Sequence, residues 1–174
     1  MSLKLIATFL AWAALATCQS IEPIRPIAAN KVKVLCVGIN QFHWIRPPLS
    51  AAFKDAKRAC EAFKQVYGVP NVEVLGASLA NSTKRHIWQR LLALLQSMQP
   101  DEVLVILVSS HGFEHLGKTY FATSDTVPTL EHAAATSLSL EELAALISMF
   151  KIHASLVVTD SCRTKLTAPA LNPK

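Results

Sequence analysis

The sequence predicts an α/β fold: a three-layer α/β/α sandwich around a mostly parallel sheet. One observation is that short apolar runs rich in β-branched residues alternate with longer stretches whose apolar residues recur at helical spacing. Another is that the chain has 174 residues, 51% of them hydrophobic, which gives one domain enough apolar surface for a buried core. The same composition, with five Gly and nine Pro, excludes disordered and collagen-like chains.

Four apolar runs predict the strands of the sheet. They cover residues 32–39, 72–75, 103–108 and 155–159. The third is hydrophobic throughout, which is typical of a parallel strand buried on both faces. Because helical stretches separate these runs, we expect parallel pairing with helices on both faces of the sheet.

The first two helices lie between these strands. Residues 49–67 place their apolar side chains at helical spacing, and Gly68 ends that helix. The second helix is capped by Asn81 or Ser82 and closed by Pro100. Its predicted apolar face consists of Ile87, Leu91, Leu94, Leu95 and Met98.

Two further elements precede the last strand. Residues 118–122 predict a small hairpin strand. Ser139 and Glu142 have the S-x-x-E spacing of a capping box, which predicts a third helix over 143–149.

The N-terminus predicts an exported protein. Residues 1–18 resemble a secretory signal peptide, with cleavage after Ala16 or Cys18, and residues 19–30 form a Pro-punctuated linker. The apolar run 5–16 is too short to span a bilayer, which needs about 20 residues. We therefore expect a secreted or periplasmic protein without a stable membrane span. Two alternatives are a lipoprotein acylated at Cys18 and an N-terminal core helix.

The charge balance is basic but not clustered. Seventeen basic and twelve acidic residues give a net charge of +5, with a pI of about 9.2. Since the basic residues form no patch, we expect no nucleic-acid partner. The His residues lack metal-ligand spacing with any Cys, no acidic cluster suits calcium, and no Gly-rich phosphate loop is present. We expect no metal and no cofactor.

Two predicted strands run into residues with catalytic chemistry. The third leads into 109–112 (SSHG) and the fourth into 160–163 (DSCR). Ligands collect at the carboxyl ends of parallel strands, so His111 and Cys162 would face each other if these strands are neighbours. A Cys beside a His base is a candidate nucleophile, and the N–H groups of Gly112 and Cys162 could form an oxyanion hole.

These motifs resemble the caspase-like cysteine peptidases, in particular the metacaspase and bacterial caspase-domain group. His111 precedes Cys162 by 51 residues, close to the roughly 50 of the caspase signature. The triplet 110–112 resembles the family's S-H-G element, and 160–162 resembles the D-x-C element of metacaspases. Further resemblances are 34–42 (VLCVGINQF), 49–56 (LSAAFKDA), Thr83 with Ile87, and Asp125.

The resemblance implies a cysteine endopeptidase acting on a protein or peptide. Cys162 would attack the scissile carbonyl, and His111 would protonate the leaving amine and later activate water. Asp160 would line the S1 pocket, with Asp55 as its second wall, and carboxylates there favour Arg or Lys at P1. From the residues alone, Asp160 could instead cap a turn and Asp55 could be an exposed helix charge.

The sequence departs from the family pattern in four places, one of them Ser110, where metacaspases have Gly and caspases tolerate Ser. Arg163 and Thr164 follow Cys162 where Gly is usual, and Ala51 with Ala52 replaces a Gly-Ala pair. The chain also stops 12 residues after Cys162, so we expect the domain, residues 31–174, to lack the C-terminal strands of the family fold. A second chain or a homodimer could complete the sheet.

Two other classes of function stay open at this point. One alternative is a catalytically inactive or fragmentary caspase-like module acting in protein binding. The other is an unrelated sheet protein that binds a small ligand. Separately, Cys36 and Cys60 are expected to be packed, and they could form a disulfide if the first helix lies on the first strand in an oxidising compartment.

Overall fold

The computed structural model describes residues 26–129, 131–161 and 163–165. In these residues eight strands and four α-helices form. The strands are β1 (Val32–Gly38), β2 (Asn71–Leu75), β3 (Val103–Ser109), β4 (Gly112–His115), β5 (Lys118–Phe121), β6 (Leu138–Ser139), β7 (Ala154–Asp160) and β8 (Arg163–Lys165). The helices are α1 (Ala52–Gln65), α2 (Lys84–Gln96), α3 (Ala133–Thr136) and α4 (Leu140–Ser148).

The main sheet is parallel, with the strand order β2-β1-β3-β7. The third and fourth predicted strands, β3 and β7, are therefore neighbours, which is the condition set above for the site. The register pairs Gly38 with Ser109 and Ser109 with Asp160. The carboxyl ends of β1, β3 and β7 therefore lie side by side at one edge of the sheet.

Helices cover both faces of this sheet, which confirms the three-layer α/β/α architecture. Helix α1 packs on one face, where Val34 of β1 and Val105 of β3 point. Helices α2 and α4 pack on the other face, where the larger cluster forms. Successive strand residues alternate between the two clusters because strand side chains have a period of two.

Helix α1 lies unusually close to β1. A Cβ at Gly38 would overlap the carbonyl oxygen of Ala52 and lie 2.6 Å from the Cα of Phe53, so only glycine fits there. On the same faces, Cys36 of β1 and Cys60 of α1 are joined by a disulfide with a Cα–Cα distance of 6.2 Å. Both cysteines are also buried in the core, so the expected packing and the possible disulfide are both present.

A second, smaller sheet has the order β6-β5-β4-β8. Strands β4 and β5 form a hairpin whose two loop residues, Leu116 and Gly117, have φ values of 51° and 73°. Positive φ at both positions is the geometry of a type I′ turn. Only β5 of this sheet is predicted by the sequence, as the run 118–122.

Helix α1 is shorter than the predicted 49–67, and α4 begins at Leu140, earlier than the predicted 143–149. Helix α1 begins at Ala52 rather than at Leu49, because the Leu49 N–H bonds back to the Asn40 carbonyl and closes the preceding loop. Gly68 follows the helix with φ of 65°, as expected for a residue that ends it.

The predicted cap of α2 is wrong by one or two residues. Thr83 caps the helix, accepting from the His86 N–H at 3.2 Å. Asn81 accepts from the N–H groups of Gly76 and Ser78 instead, and the Ser82 hydroxyl donates to the Ser78 carbonyl. Both side chains are occupied by the turn before the helix.

The cap of α4 is as predicted. The Ser139 hydroxyl accepts from the Glu142 N–H at 3.3 Å. The Glu142 carboxylate does not complete a reciprocal box, since it binds the Lys84 ammonium at 3.1 Å. This ion pair joins α4 to the first turn of α2.

Several predictions fall outside the described residues. They concern the signal segment 1–18, the linker up to residue 25, Cys18 and Cys162. Among the helices that are described, none has the length and apolar character needed to cross a bilayer.

Candidate functional site

His111 lies at the carboxyl edge of the main sheet, two residues after β3. Its Nε2 atom is 3.1 Å from the Pro47 carbonyl oxygen in the β1–α1 loop, and its ring packs on Phe42 with centroids 5.1 Å apart. A carbonyl oxygen only accepts, so Nε2 carries the proton in this contact. In a neutral ring Nδ1 is then the free base, available to take a proton from a nucleophile.

The backbone of the His111 segment is held by a reciprocal pair of hydrogen bonds. The Ser110 hydroxyl donates to the Ala122 carbonyl at 2.6 Å, and the Ala122 N–H donates to the His111 carbonyl at 2.8 Å. Ser110 is 3% exposed, so its hydroxyl would pay a desolvation penalty without this partner. The segment is thereby fixed to the chain that leaves β5.

Asp160 lies beside this segment at the end of β7. Its Oδ2 accepts from the Ser109 hydroxyl at 3.1 Å, and its carbonyl accepts from the Ser110 N–H at 3.3 Å. The Asp160 residue is otherwise exposed. The structure therefore brings Asp160 and the His111 segment to one edge, where a carboxylate is available to solvent.

Two segments of the chain run from the main sheet into the second sheet: one joins β3 to β4, and the other joins β7 to β8. They are paired in both sheets. Ser109 is in register with Asp160, and Gly112 is in register with Arg163. In each segment two residues lie between the two paired positions. In the first segment the second of these residues is His111, and in the other segment it is Cys162. Cys162 itself lies outside the described residues.

Gly112 is buried at the start of β4, between its partners Phe121 and Arg163. It lies directly after His111, where an oxyanion-hole donor would be needed. The oxyanion role of the Gly112 N–H stays a prediction.

Asp55 is placed differently from Asp160. It lies in the first turn of α1, its side chain is half exposed, and its carboxylate is 4.0 Å from the Arg58 guanidinium one helical turn away. This placement agrees with the alternative of an exposed helix charge. The role of a second S1 wall stays a prediction.

Asp125 organises the loop after β5. Its Oδ1 accepts from the Lys84 N–H at 2.9 Å and from the Thr123 hydroxyl at 2.7 Å. Thr123 is fully buried, and its hydroxyl oxygen also lies 2.8 Å from the Thr136 carbonyl, the alternative acceptor for the same proton. Since this loop continues from Ala122, the network supports the same chain that fixes the His111 segment.

The shifted pKa values belong to surface groups rather than to this edge. A bidentate contact with Glu73 raises the pKa of Arg90, and the Lys31 ammonium lowers the pKa of the Asp101 carboxyl. The Ser139 hydroxyl lowers the pKa of Glu141 in the first turn of α4. Within the described part of the chain, no group of three or more His, Cys, Asp or Glu side chains could hold a metal ion.

Sequence reasoning missed the two groups that hold the His111 ring. Phe42 stands at the aromatic end of the motif 34–42, but nothing in that motif assigns it to the histidine. The Pro47 contact uses a backbone carbonyl, which every residue has, so the sequence carries no signal for it.

Comparison with known proteins places this arrangement in a family. A family model described as the caspase domain of peptidase C14 matches residues 31–173. Among solved structures, the chain is similar to the crystal structure of protein GSU0716 from Geobacter sulfurreducens, with a TM-score of 0.57 and 19% sequence identity. That match covers 77% of this chain and 51% of the other, so this chain spans about half of the Geobacter protein, and the likeness concerns the fold alone.

A search of curated proteins finds no match. The family match covers most of the chain, and it includes every strand and helix described above. The chain belongs to the caspase-domain family of peptidases, peptidase C14.

Proposed function

We propose that this protein is a cysteine endopeptidase with a Cys162–His111 dyad. The observation that carries the proposal is that the strands before and after His111 pair with the strands before and after Cys162. Ser109 is paired with Asp160, and Gly112 is paired with Arg163. Paired strands lie about 4.8 Å apart, so the pairing on both sides of the two residues supports a short distance between His111 and Cys162. Family membership supports a protein or peptide as the substrate.

The chemistry follows from the contacts of His111. With Nε2–H bound to the Pro47 carbonyl, Nδ1 takes the Cys162 thiol proton, and the sulfur attacks the scissile carbonyl carbon. The N–H groups of Gly112 and Cys162 hold the oxyanion. The imidazolium then gives its proton to the amine nitrogen as the C–N bond breaks. Water, deprotonated by His111, hydrolyses the thioester and releases the acid and the free thiol.

The P1 preference is for Arg or Lys. The support is the Asp160 carboxylate, which is exposed at the same edge as His111 and held there by the Ser109 hydroxyl. A carboxylate attracts a cationic P1 side chain and repels an aspartate. Asp55 would contribute as a second wall of that pocket.

We also propose that the protein acts outside the cytoplasm, secreted or in the periplasm. The signal-like segment 1–18 is followed by the linker 19–30 and the domain 31–174. The Cys36–Cys60 disulfide supports this location, because disulfides persist mainly in oxidising compartments. An anchored lipoprotein with Cys18 acylated is the alternative form.

A second function is favoured by the β7 edge. Among the described strands β7 pairs with β3 alone, and Leu156 and Val158 on its α1 side are 54% and 41% exposed. We propose that a second copy of this chain pairs antiparallel along β7, since one edge is self-complementary about a two-fold axis. If the dyad is inactive, this surface makes the chain a binding module.

The activity is tested with fluorogenic peptides that carry Arg, Lys or Asp at P1. Wild type should hydrolyse the first two, and Cys162→Ala and His111→Ala should each lower kcat/KM by about 10³-fold or more. His153→Ala, a change of an exposed histidine away from this edge, is the matched control and should retain activity. A basic-P1 electrophilic peptide should label Cys162.

The binding-module alternative predicts the opposite result. Correctly folded wild type that neither reacts with the electrophile nor cleaves any of the three peptides would overturn the peptidase proposal.

A further inference from the structure

The Cys36–Cys60 disulfide encloses the loop that holds His111. Cys36 lies in β1, Cys60 lies in α1, and 24 positions separate them. Between them the β1–α1 loop, residues 39–51, carries Phe42 and the Pro47 carbonyl. The disulfide therefore closes a ring of chain that includes both contacts of the His111 imidazole.

Inside this ring, hydrogen bonds at Asn40 join the loop to its own far end and to the start of α1. The Leu49 N–H donates to the Asn40 carbonyl at 2.9 Å, and the Phe53 N–H at the start of α1 donates to Asn40 Oδ1 at 3.0 Å. Two backbone bonds lead outside, from the Ile39 N–H to the Ser109 carbonyl at 2.9 Å and from the His43 N–H to the Ser124 carbonyl at 2.8 Å. The position of α1 on β1 therefore affects the end of the loop next to α1, whereas Ile39 and Phe42 are also anchored in the large core cluster.

Apart from the partly buried Phe63, helix α1 has smaller buried side chains than α2 with which to hold that position. Its buried residues are Ala52, Ala56 and Cys60, whereas α2 buries Ile87, Leu91 and Leu95. Hydrophobic stabilisation scales with buried apolar area, and alanine buries far less than leucine or isoleucine. The small residues are needed because α1 approaches the backbone of β1 so closely at Gly38.

We propose that the Cys36–Cys60 disulfide is a positioning element for His111, which holds α1 on β1 and thereby keeps Phe42 and the Pro47 carbonyl against the imidazole. The disulfide holds α1 against the sheet, as the buried apolar side chains hold α2. The site is then assembled in the oxidised protein and loosened in the reduced one. The effect on catalysis rests on the proposed function, but the effect on the loop does not.

The redox step is a thiol–disulfide exchange with a disulfide donor, such as oxidised glutathione or a disulfide oxidoreductase. The two cysteine thiols form one S–S bond, and the donor disulfide becomes two thiols. Two electrons and two protons pass to the donor. A thiol or phosphine reductant reverses the step.

The first measurement is the bonding state of the folded, full-length protein. Alkylation followed by mass spectrometry should find Cys36 and Cys60 unlabelled and their peptides linked before reduction. Free thiols at both positions in protein prepared under oxidising conditions would overturn the proposal directly.

The second measurement compares amide deuterium uptake in Cys36→Ala/Cys60→Ala with that in Leu95→Ala. Leu95 is fully buried in α2 on the opposite face, so its truncation is a control for general destabilisation. The double variant should take up deuterium faster in residues 39–51, and the Leu95 variant should not. Equal uptake in this loop for both variants would show that the bond acts on stability alone.

The third measurement follows His111 and catalysis together. The His111 ring signals in NMR should shift and broaden on reduction in wild type, and reduction should leave them unchanged in the double variant. Hydrolysis should fall about 10- to 100-fold in kcat with a smaller change in KM, as expected for a misplaced base. If no variant hydrolyses peptides but the loop and ring respond, the proposed function fails and the positioning role stands.

Discussion

The imidazole of His111 packs against the ring of Phe42, with centroids 5.1 Å apart and ring planes inclined by 43°. Phe42 is 3% exposed and belongs to the large core cluster, so one face of the histidine rests on the interior of the protein. The ring is thereby oriented by the core on that face and by the Pro47 carbonyl at Nε2.

Replacing Phe42 should therefore impair catalysis beyond its effect on stability. Phe42→Leu keeps an apolar side chain but removes the flat surface under His111, and it should cost about 1–2 kcal/mol of unfolding free energy. We expect kcat for an Arg-P1 peptide to fall about tenfold or more, with KM little changed. Ile106→Val, a small truncation in the same cluster, is the control. Equal kcat losses in the two variants would contradict an orienting role.

The Asp160 carboxylate should decide the P1 preference. Asp160→Asn keeps the shape and the contact with the Ser109 hydroxyl but removes the charge, so the advantage of Arg over an uncharged P1 residue should fall about 10- to 100-fold. The measurement is kcat/KM for peptides with Arg, Gln or Asp at P1. Asp55→Asn tests the second wall in the same assay. A preference for Arg unchanged in Asp160→Asn would exclude Asp160 from the pocket.

The contact between Ser139 and Glu141 gives a prediction for pH dependence. The Ser139 hydroxyl lies 2.7 Å from the Glu141 carboxylate and holds its pKa below the ordinary value of 4.5. A lowered pKa in the folded state stabilises the protein above pH 4.5, and this contribution is lost as the pH falls through the folded-state pKa.

Ser139→Ala should raise the pKa of Glu141, measured by NMR titration of the side-chain carboxyl. It also removes the cap of α4 and should cost about 1 kcal/mol near pH 7. The stability difference from wild type should narrow in acid, where Glu141 is protonated in both proteins. Ser148→Ala, at the other end of the same helix, should change neither quantity. A Glu141 pKa that stays low in Ser139→Ala would assign the shift to another cause.

The sequence predicted the main sheet well because its physical signal is strong. The runs at 32–39 and 103–108 are apolar over more residues than is usual in a loop. Because helical stretches separate the runs, the strands are predicted to pair in parallel. The smaller sheet carries no such signal. Strands β6 and β8 have two and three residues, too few to show a period.

The cap of α2 and the disulfide show a different limit. Asn81, Ser82 and Thr83 can all cap a helix, and the turn at Ser78 decides which of them is free. Cys36 and Cys60 are bonded because α1 lies on the face of β1 where Cys36 points. The amino-acid composition does not predict on which face of the sheet a helix packs. The His111 position was found from a motif, whereas its support by Pro47 was not, since a backbone carbonyl has no residue-type signature.

The exposed face of β7 predicts self-association. Leu156 and Val158 lie on one face, two residues apart, so a charge at Val158 would fall within the proposed contact between two copies. Wild type should be dimeric by light scattering at micromolar concentration, and Val158→Lys should be monomeric. Met149→Lys, at a residue 78% exposed away from this strand, is the control and should stay dimeric. A monomeric wild type would contradict the dimer.

The Lys33–Glu102 pair should be the most sensitive ion pair among the described residues. The two side chains are about nine-tenths buried, and their charged atoms are 3.3 Å apart. Lys33 also donates to the Ser97 carbonyl at 2.9 Å, and Glu102 accepts from the Gln99 N–H at 2.8 Å. The pair thus joins the start of β1 to the turn between α2 and β3.

Lys33→Met leaves the Glu102 carboxylate buried without a cation, and should cost about 3–5 kcal/mol of unfolding free energy in denaturant titrations. Lys33→Met/Glu102→Gln removes the stranded charge but keeps an acceptor for the Gln99 N–H, so most of the loss should be recovered. Lys57→Met breaks the exposed pair with Glu61 and should cost under about 0.5 kcal/mol. A double variant as unstable as Lys33→Met would show that the loss comes from the lysine's own packing and its bonds to Ser97, and not from the unpaired charge.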